Sequence, residues 1–401
     1  MAEYAYIERF KKLGFGMFVH FGLYSLIGRG EWNLFADKVE PAKYRAHSEK
    51  FLVKKTWARE LAATAKAAGC RYVTLTTRHH DGFSLYDTRG LSPFDAPHSA
   101  CGRDLIAEFV AACRQCGIVP LFYHTLLDWQ HPDYRDNFPA YIDYLVGSIE
   151  TLCKNYGKIG GFWFDGMWDK PDENWQEDRL YGTIRQYQPE AMIINNTGLD
   201  ALGQTGHREI DSVTFERGKP FRVDAGDKPI AGEVCEGITD HWGYAQNDIC
   251  HKSVRELLSL LLSCRVNGCN LLLNTGLKGD GSLDELEKGI FLALGKWISA
   301  NRQFIYTAVP SRLQAENAVV LEDADCYYAV IKDVPMQLDS NVSRAKNAAQ
   351  VTLKTDKKIL SAKWLDNGKA IKVENNSFTV CPFEYGTSLA LRVAKIVLSS
   401  K

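Results

Sequence analysis

Four stretches of the chain each close a β-forming run on side chains able to do chemistry. Phe18-Val19-His20-Phe21-Gly22 ends one run and Arg78-His79-His80-Asp81-Gly82 follows a second; Phe122-Tyr123-His124 and Trp163-Phe164-Asp165-Gly166 end two more. Side chains on a strand alternate with a period of two, so Trp163 and Asp165 share one face while Phe162 and Phe164 share the other. An aspartate beside an indole and ahead of a glycine has room for a ligand. Taken alone it serves equally well as the cap of a following loop. Four successive strand ends carrying ionisable or aromatic groups point instead to a site. Rings beside carboxylates suit a polyhydroxylated ligand, whose apolar faces stack while its hydroxyls need fixed donors and acceptors. Trp32, Trp129, Trp163 and Trp242 lie in or near segments that would face such a site, and Glu31-Trp32 follows the flexible turn Gly28-Arg29-Gly30. Core packing accounts for any single one of these tryptophans at least as well.

Other chemistries find less support. His79 and His80 are adjacent, so on a strand they would face opposite ways, a poor start for shared metal coordination. No H-E-x-x-H spacing occurs, and no Gly-x-Ser-x-Gly elbow marks a serine hydrolase. Neither a metal nor an organic cofactor is expected.

The elements that must position these groups alternate. Candidate strands are 16–24, 72–77, 119–126, 161–166, 192–198, 211–216, 232–238 and 270–276. Between them run segments with apolar residues three and four apart, such as Trp57–Leu61–Ala65–Ala68. Gly69 and Gly117 are placed to stop two of these helices, and Ser253 with Glu256 forms a capping-box spacing. Eight strand–helix units predict a parallel (β/α)8-type barrel, whose functional groups stand at the C-terminal ends of the strands. A doubly wound sheet is less favoured because no glycine-rich phosphate turn follows an early strand. Units five to seven read as irregular: only 217–231 separates strands six and seven, and Gly218, Pro220 and Pro229 within it predict a loop in place of a helix. Past residue 308 short alternating runs replace the helical period, with Asp366-Asn367-Gly368 as a hairpin signal. A barrel over 1–308 and a C-terminal antiparallel β-sandwich over 309–401 are therefore expected.

Bulk properties narrow the partners. Lys and Arg total 48 against 49 for Asp and Glu, a formal charge of −1. Such a balance argues against nucleic-acid or anionic-membrane binding, which rests on basic patches. The N-terminal stretch has no signal-peptide pattern. The 11 cysteines are an odd number, and several sit among apolar residues. A reducing, cytoplasmic setting is expected from this usage. Composition leaves an oligomer open.

Taken together, FGMFVHFGLYS, GEW (30–32), YVTLTTRHHDGFSLYDT, GGFWFDG, HWGY (241–244) and NLLLNTGLKGDG resemble glycoside hydrolase family 29, the α-L-fucosidases, in the family's order over residues 8–310. The resemblance implies a retaining double displacement on a fucosylated oligosaccharide or glycoconjugate, with Asp165 of Trp-Phe-Asp-Gly as nucleophile. The family's acid/base glutamate often stands in a Trp-Glu-x-Cys stretch, which Glu233-Val234-Cys235 matches with Gly232 in place of the tryptophan. Glu233 therefore stands first for that role, Glu216 at the end of strand six second and Glu236 third. His20, Glu31, Trp32, His79, His80, Tyr123 and Trp163 resemble the fucose-binding set. Two further readings stay open: a barrel glycosidase for another sugar, and a carbohydrate-binding protein without turnover. Linkage and aglycone are not legible.

Overall fold

Runs rich in β-branched and aromatic residues become strands buried on both faces, as a sheet covered by helices requires. In this computed structural model, which describes residues 4–223, 226–334 and 349–399, they are β1 (Phe15–His20), β2 (Tyr72–Arg78), β3 (Val119–Thr125), β4 (Gly161–Asp165), β5 (Met192–Asn195), β6 (Ser212–Glu216), β7 (Ala231–Gly237) and β8 (Asn270–Gly276). All pair in parallel in chain order, and β8 returns to β1, so the eight-stranded barrel closes. The chain folds into two compact units, Met1–Lys252 with Asn270–Leu292 and Ser253–Cys269 with Ala293–Lys401. Among the described residues no helix is long and apolar enough to cross a membrane.

The two halves of the barrel are connected differently. Amphipathic helices Trp57–Ala67, Leu105–Cys116, Phe138–Asn155 and Glu177–Tyr187 link the first five strands. Asp104 starts the second by accepting from the Ala107 N–H, and Gly117 stops it at φ 69°, a conformation that glycine adopts without the strain a Cβ brings. Between β5 and β7 the helices give out. Only a single 3-10 turn, Leu199–Ala201, interrupts the chain before β6, and the described residues between β6 and β7 hold no helix. The loop expected from Gly218, Pro220 and Pro229 is thus present, with residues 224 and 225 outside the described set.

That change leaves a seam. β5 and β6 share one ladder pair, Ile194 with Ser212. Asp211, fully buried at the foot of β6, fastens the gap with its side chain. It accepts from the Ile193 N–H at 2.8 Å and the Tyr6 hydroxyl at 3.0 Å, and it pairs with Arg185 at 2.6 Å and Lys228 at 2.8 Å. A buried carboxylate with two cations and two donors meets the condition under which a buried charge is tolerated.

Inside the barrel, Phe18, Tyr72, Leu121, Tyr123, Trp163, Ile194, Cys235 and Leu272 form one apolar cluster. Tyr6, Ile7 and Phe10 of the N-terminal helix Ala5–Lys11 cover its lower end. Gly16 makes space in it: a Cβ there would lie 2.4 Å from the Tyr72 Cζ.

The second unit contains the antiparallel sandwich expected past residue 308, and with it Ser253–Cys269 and the chain from Ala293. Five strands lie in the order Ile359–Trp364, Arg392–Leu398, Cys326–Ile331, Val319–Asp323, Val309–Pro310, and three in the order Ala315–Glu316, Gln350–Leu353, Ser377–Thr379. Val320, Ala329, Val351, Trp364, Phe378 and Ile396 pack between them. Lys363 and Ala370 bridge across the Asp366-Asn367-Gly368 turn, where Gly368 takes φ 70°. In the same unit Ser253 and Glu256 form the expected capping box on helix Val254–Val266.

Candidate active site

The C-terminal ends of the strands surround a cavity of about 520 Å³. His20, His79, His80, Tyr123, Trp163, Asp165, Asn196, Glu216, Trp32 and Trp242 are among its walls. Asp165, the last residue of β4, is the most heavily bonded group there. Its Oδ1 accepts from the Gly166 N–H at 2.9 Å, Trp168 Nε1 at 3.0 Å and Asn196 Nδ2 at 3.2 Å. Its Oδ2 accepts from the Tyr123 hydroxyl at 3.0 Å and lies 3.5 Å from His80 Nε2. Burial pushes this carboxyl up, but the bonds from His80, Trp168 and Tyr123 outweigh it and hold the group below its ordinary value. A carboxylate kept ionised in a partly closed cavity is suited to act as a nucleophile.

Glu216 ends β6 on the same wall. Asn196 Nδ2 donates to its Oε2 at 2.7 Å. The amide is oriented by the Thr214 hydroxyl, which donates to Asn196 Oδ1 at 3.1 Å. One nitrogen thus holds both carboxyls, and its bonds of 3.2 and 2.7 Å keep the two oxygens within about 5.9 Å of one another. Glu216 is raised above its ordinary value, first by burial and then by the negative charge of Asp165. Two carboxyls with their protonation pushed apart by environment are the signature of an acid paired with a nucleophile.

Glu233 lies deeper. It is wholly buried and is not part of the cavity wall. Its Oε1 accepts from Trp163 Nε1 at 3.0 Å and its Oε2 from the Tyr72 hydroxyl. Burial raises it to about 7 against the effect of those two bonds. The order expected from the Glu-Val-Cys match, Glu233 before Glu216, is thus not the order of access to the cavity. Glu236 faces Lys252 at 3.3 Å and Arg217 at 3.8 Å, away from the cavity wall.

The histidines are fixed by their inner nitrogens. Asn274 donates through Nδ2 to the Trp242 carbonyl, so its Oδ1 accepts from His20 Nδ1 at 2.7 Å, and His20 Nε2 is left as an acceptor. Burial lowers His20 to about 3 and His79 well below the usual imidazole value. Both stay neutral and suited to hydroxyl groups. His79 and His80 do not face opposite ways. β2 ends at Arg78, the period-two alternation ends with it, and the two rings lie 4.1 Å apart on the cavity wall.

Trp163 stacks on Tyr123 with ring centres 5.7 Å apart. Trp32 lies edge-on to Trp129 at 5.1 Å and face to face with Trp168 at 6.1 Å. Glu31 is buried behind the wall, where it accepts from the Gly243 N–H at 2.7 Å. Of the residues expected at the site, all but Glu31, Trp129, Glu233 and Glu236 reach the cavity surface. Sequence reading missed Asn196 and Trp168. Asn196 directly follows β5, and the strand-end rule that singled out Asp165 applies equally to it. Trp168 lies three residues past the strand, and no pattern marks it.

A sequence model described as Alpha-L-fucosidase matches residues 1–303. The chain belongs to the α-L-fucosidase family. Among its relatives, tissue alpha-L-fucosidase of Macaca fascicularis is 28% identical over 344 residues, 77% of this chain and 70% of that one. The Homo sapiens protein of the same name is 28% identical over 341 residues, with the same shares. Among solved structures, alpha-L-fucosidase isoenzyme 1 from Paenibacillus thiaminolyticus superposes with a TM-score of 0.84 at 26% identity, covering 100% of both chains. Members of the α-L-fucosidase family are glycoside hydrolases.

Proposed function

We propose that this protein is an exo-acting, retaining α-L-fucosidase in which Asp165 is the nucleophile and Glu216 the acid and then the base. The observation that carries the reading is the shared amide of Asn196. Its two bonds keep the carboxyl oxygens within about 5.9 Å of one another, short of the roughly 6.5–9.5 Å that an inverting enzyme needs for an intervening water. Family membership supplies the sugar, and the neutral histidines supply acceptors for its hydroxyls.

In the first step an Asp165 oxygen bonds to the anomeric carbon as the bond to the leaving oxygen breaks, and Glu216 delivers its proton to that oxygen. A fucosyl ester of Asp165 results. Esterification removes the charge that helped to raise Glu216, so the group is now suited to act as a base. It takes a proton from water, whose oxygen bonds to the anomeric carbon, and Asp165 departs as a carboxylate. Glu216 is again protonated, and the released fucose keeps the starting configuration.

The test is hydrolysis of 4-nitrophenyl α-L-fucoside. Asp165→Ala should lose activity by at least about 10³-fold, the scale at which a nucleophile acts as part of a unit. Glu216→Ala should be accelerated by azide and yield fucosyl azide of the starting anomeric configuration, because azide needs no general base to displace Asp165 from the ester. Azide product from Glu233→Ala alone would transfer the acid/base role to Glu233. Full activity in Asp165→Ala would overturn the mechanism.

A further inference from the structure

Arg217 directly follows Glu216 and holds a backbone conformation that arginine does not favour. Its φ is +48°, in the left-handed region where a Cβ crowds the backbone and glycine sits without strain. Such a conformation persists where the surrounding contacts over-determine it. The Arg217 N–H donates to the Cys235 carbonyl at 3.0 Å. Its Nη2 donates to the Asp240 carbonyl at 2.6 Å, and its guanidinium lies 4.6 Å from the centre of the Trp242 ring. Nη1 is 3.8 Å from the Glu236 carboxylate. The side chain therefore spans from the end of β6 to the segment that follows β7.

That segment carries a wall of the cavity. Trp242 lines it, with its ring 5.6 Å from His20 and 30° from parallel. Its main chain is fixed by other groups: Asn274 Nδ2 donates to the Trp242 carbonyl at 2.7 Å, and the Gly243 N–H donates to Glu31 at 2.7 Å. Those bonds set where the backbone runs, but not how the indole turns about its side-chain torsions. A cation over the ring does set that turn, because the negative face of the ring attracts it. Arginine suits the task better than lysine, since its flat fork stacks on a ring and still donates in its own plane.

We propose that Arg217 is a positioning residue that locks the Trp242 indole beside His20, joining the wall that faces the sugar to the strand end that bears the acid. Asn274 and Glu31 set the depth of Trp242, and Arg217 sets its plane. The strain at φ +48° then has a reason: a glycine would fit the backbone there and hold nothing. Arg217 is not itself among the residues lining the cavity. The inference rests on the fucosidase reading and adds to it a residue that acts through another.

The experiment is a double-mutant cycle. Arg217→Gly and Arg217→Lys are made in the parent and in Trp242→Ala. KM and kcat are measured for 4-nitrophenyl α-L-fucoside, and Kd for L-fucose by calorimetry. Glycine suits this φ, so Arg217→Gly should fold and lose only the lock. It should raise KM and Kd about ten-fold, the scale of a cation held on an aromatic face. Its kcat should stay within about three-fold, as loss of binding common to ground and transition states requires. Arg217→Lys keeps a cation in reach of the ring and should recover part of the loss. With Trp242→Ala in place, both variants should change KM by less than about two-fold. An unmoved KM in Arg217→Gly, a lysine no better than glycine, or the same loss with and without Trp242 overturns the lock. A parent that binds fucose but cleaves no fucoside removes the fucosidase reading, and the cycle in Kd still decides the lock. A parent that does neither removes both.

Discussion

The mouth of the barrel and the layer beneath it are made by the same strands two residues apart. The ladder sets Glu216 opposite Cys235 and Thr214 opposite Glu233, so the two glutamates differ in depth by one pleat repeat, about 7 Å. Glu216 shares an amide with Asp165 and is raised partly by that neighbour's charge. Glu233 is raised by burial, and its oxygens are taken up by Tyr72 and Trp163. A carboxyl raised by the charge of Asp165 changes its proton affinity when Asp165 loses that charge. One pleat deeper, a carboxyl holds the furniture in place: it anchors the indole on which Tyr123 stacks, and the Tyr123 hydroxyl in turn donates to Asp165.

The sharpest way to break this contrast is leaving-group dependence. Glu216→Gln should lower kcat/KM for disaccharides by about 10²–10⁴-fold, the usual worth of general acid catalysis, with a much smaller loss for nitrophenyl fucoside. Glu233→Gln keeps an acceptor for the Trp163 indole, and its loss should be below about ten-fold and equal for both substrates. Equal leaving-group slopes in the two variants would erase the distinction between the layers.

A second contrast is in stability. The Glu233 carboxyl rises from 4.5 to about 7 on folding, so the folded protein holds that proton more tightly. The resulting stabilisation is complete below pH 4.5 and is lost as pH rises through 7. Glu233→Gln has nothing to titrate there, and should gain on the parent by up to about 3 kcal/mol between those values. Urea unfolding at pH 4.5 and 8 measures the gap, and a constant difference would contradict it. The smallest effect belongs to Asn196→Ala. Removing a donor from both carboxylates disfavours their charged forms, so both limbs of the pH profile of kcat/KM should move upward. Movement of one limb alone would mean that the two groups are not held by a common amide.

Much of this was legible beforehand. Apolar runs such as Asn270–Gly276 can hardly be anything but covered strands, and Pro220 and Pro229 forbid a regular helix where the barrel turns irregular. Depth was harder. Inward residues of β7 all share one parity, and the layer that faces the cavity depends on the stagger of eight strands, which no local pattern encodes. The motif match at 233–235 therefore outweighed a simpler signal: Glu216 is the last residue of its strand, whereas Glu233 is the third of seven in β7. His79 and His80 were assigned opposite faces because the alternation was carried past Arg78, where the strand had already ended.

The staple at Asp211 separates two kinds of inheritance. It closes the barrel from below, with partners at Tyr6, Arg185, Ile193 and Lys228, while the stretch beginning at Asn196 leaves from the opposite end of the same seam. Closure therefore asks nothing of that stretch's length or composition, as surface connections generally tolerate change when the scaffold beneath them is independently secured. Changes of sequence or length in the rim that begins at Asn196 can therefore leave the closure of the barrel untouched.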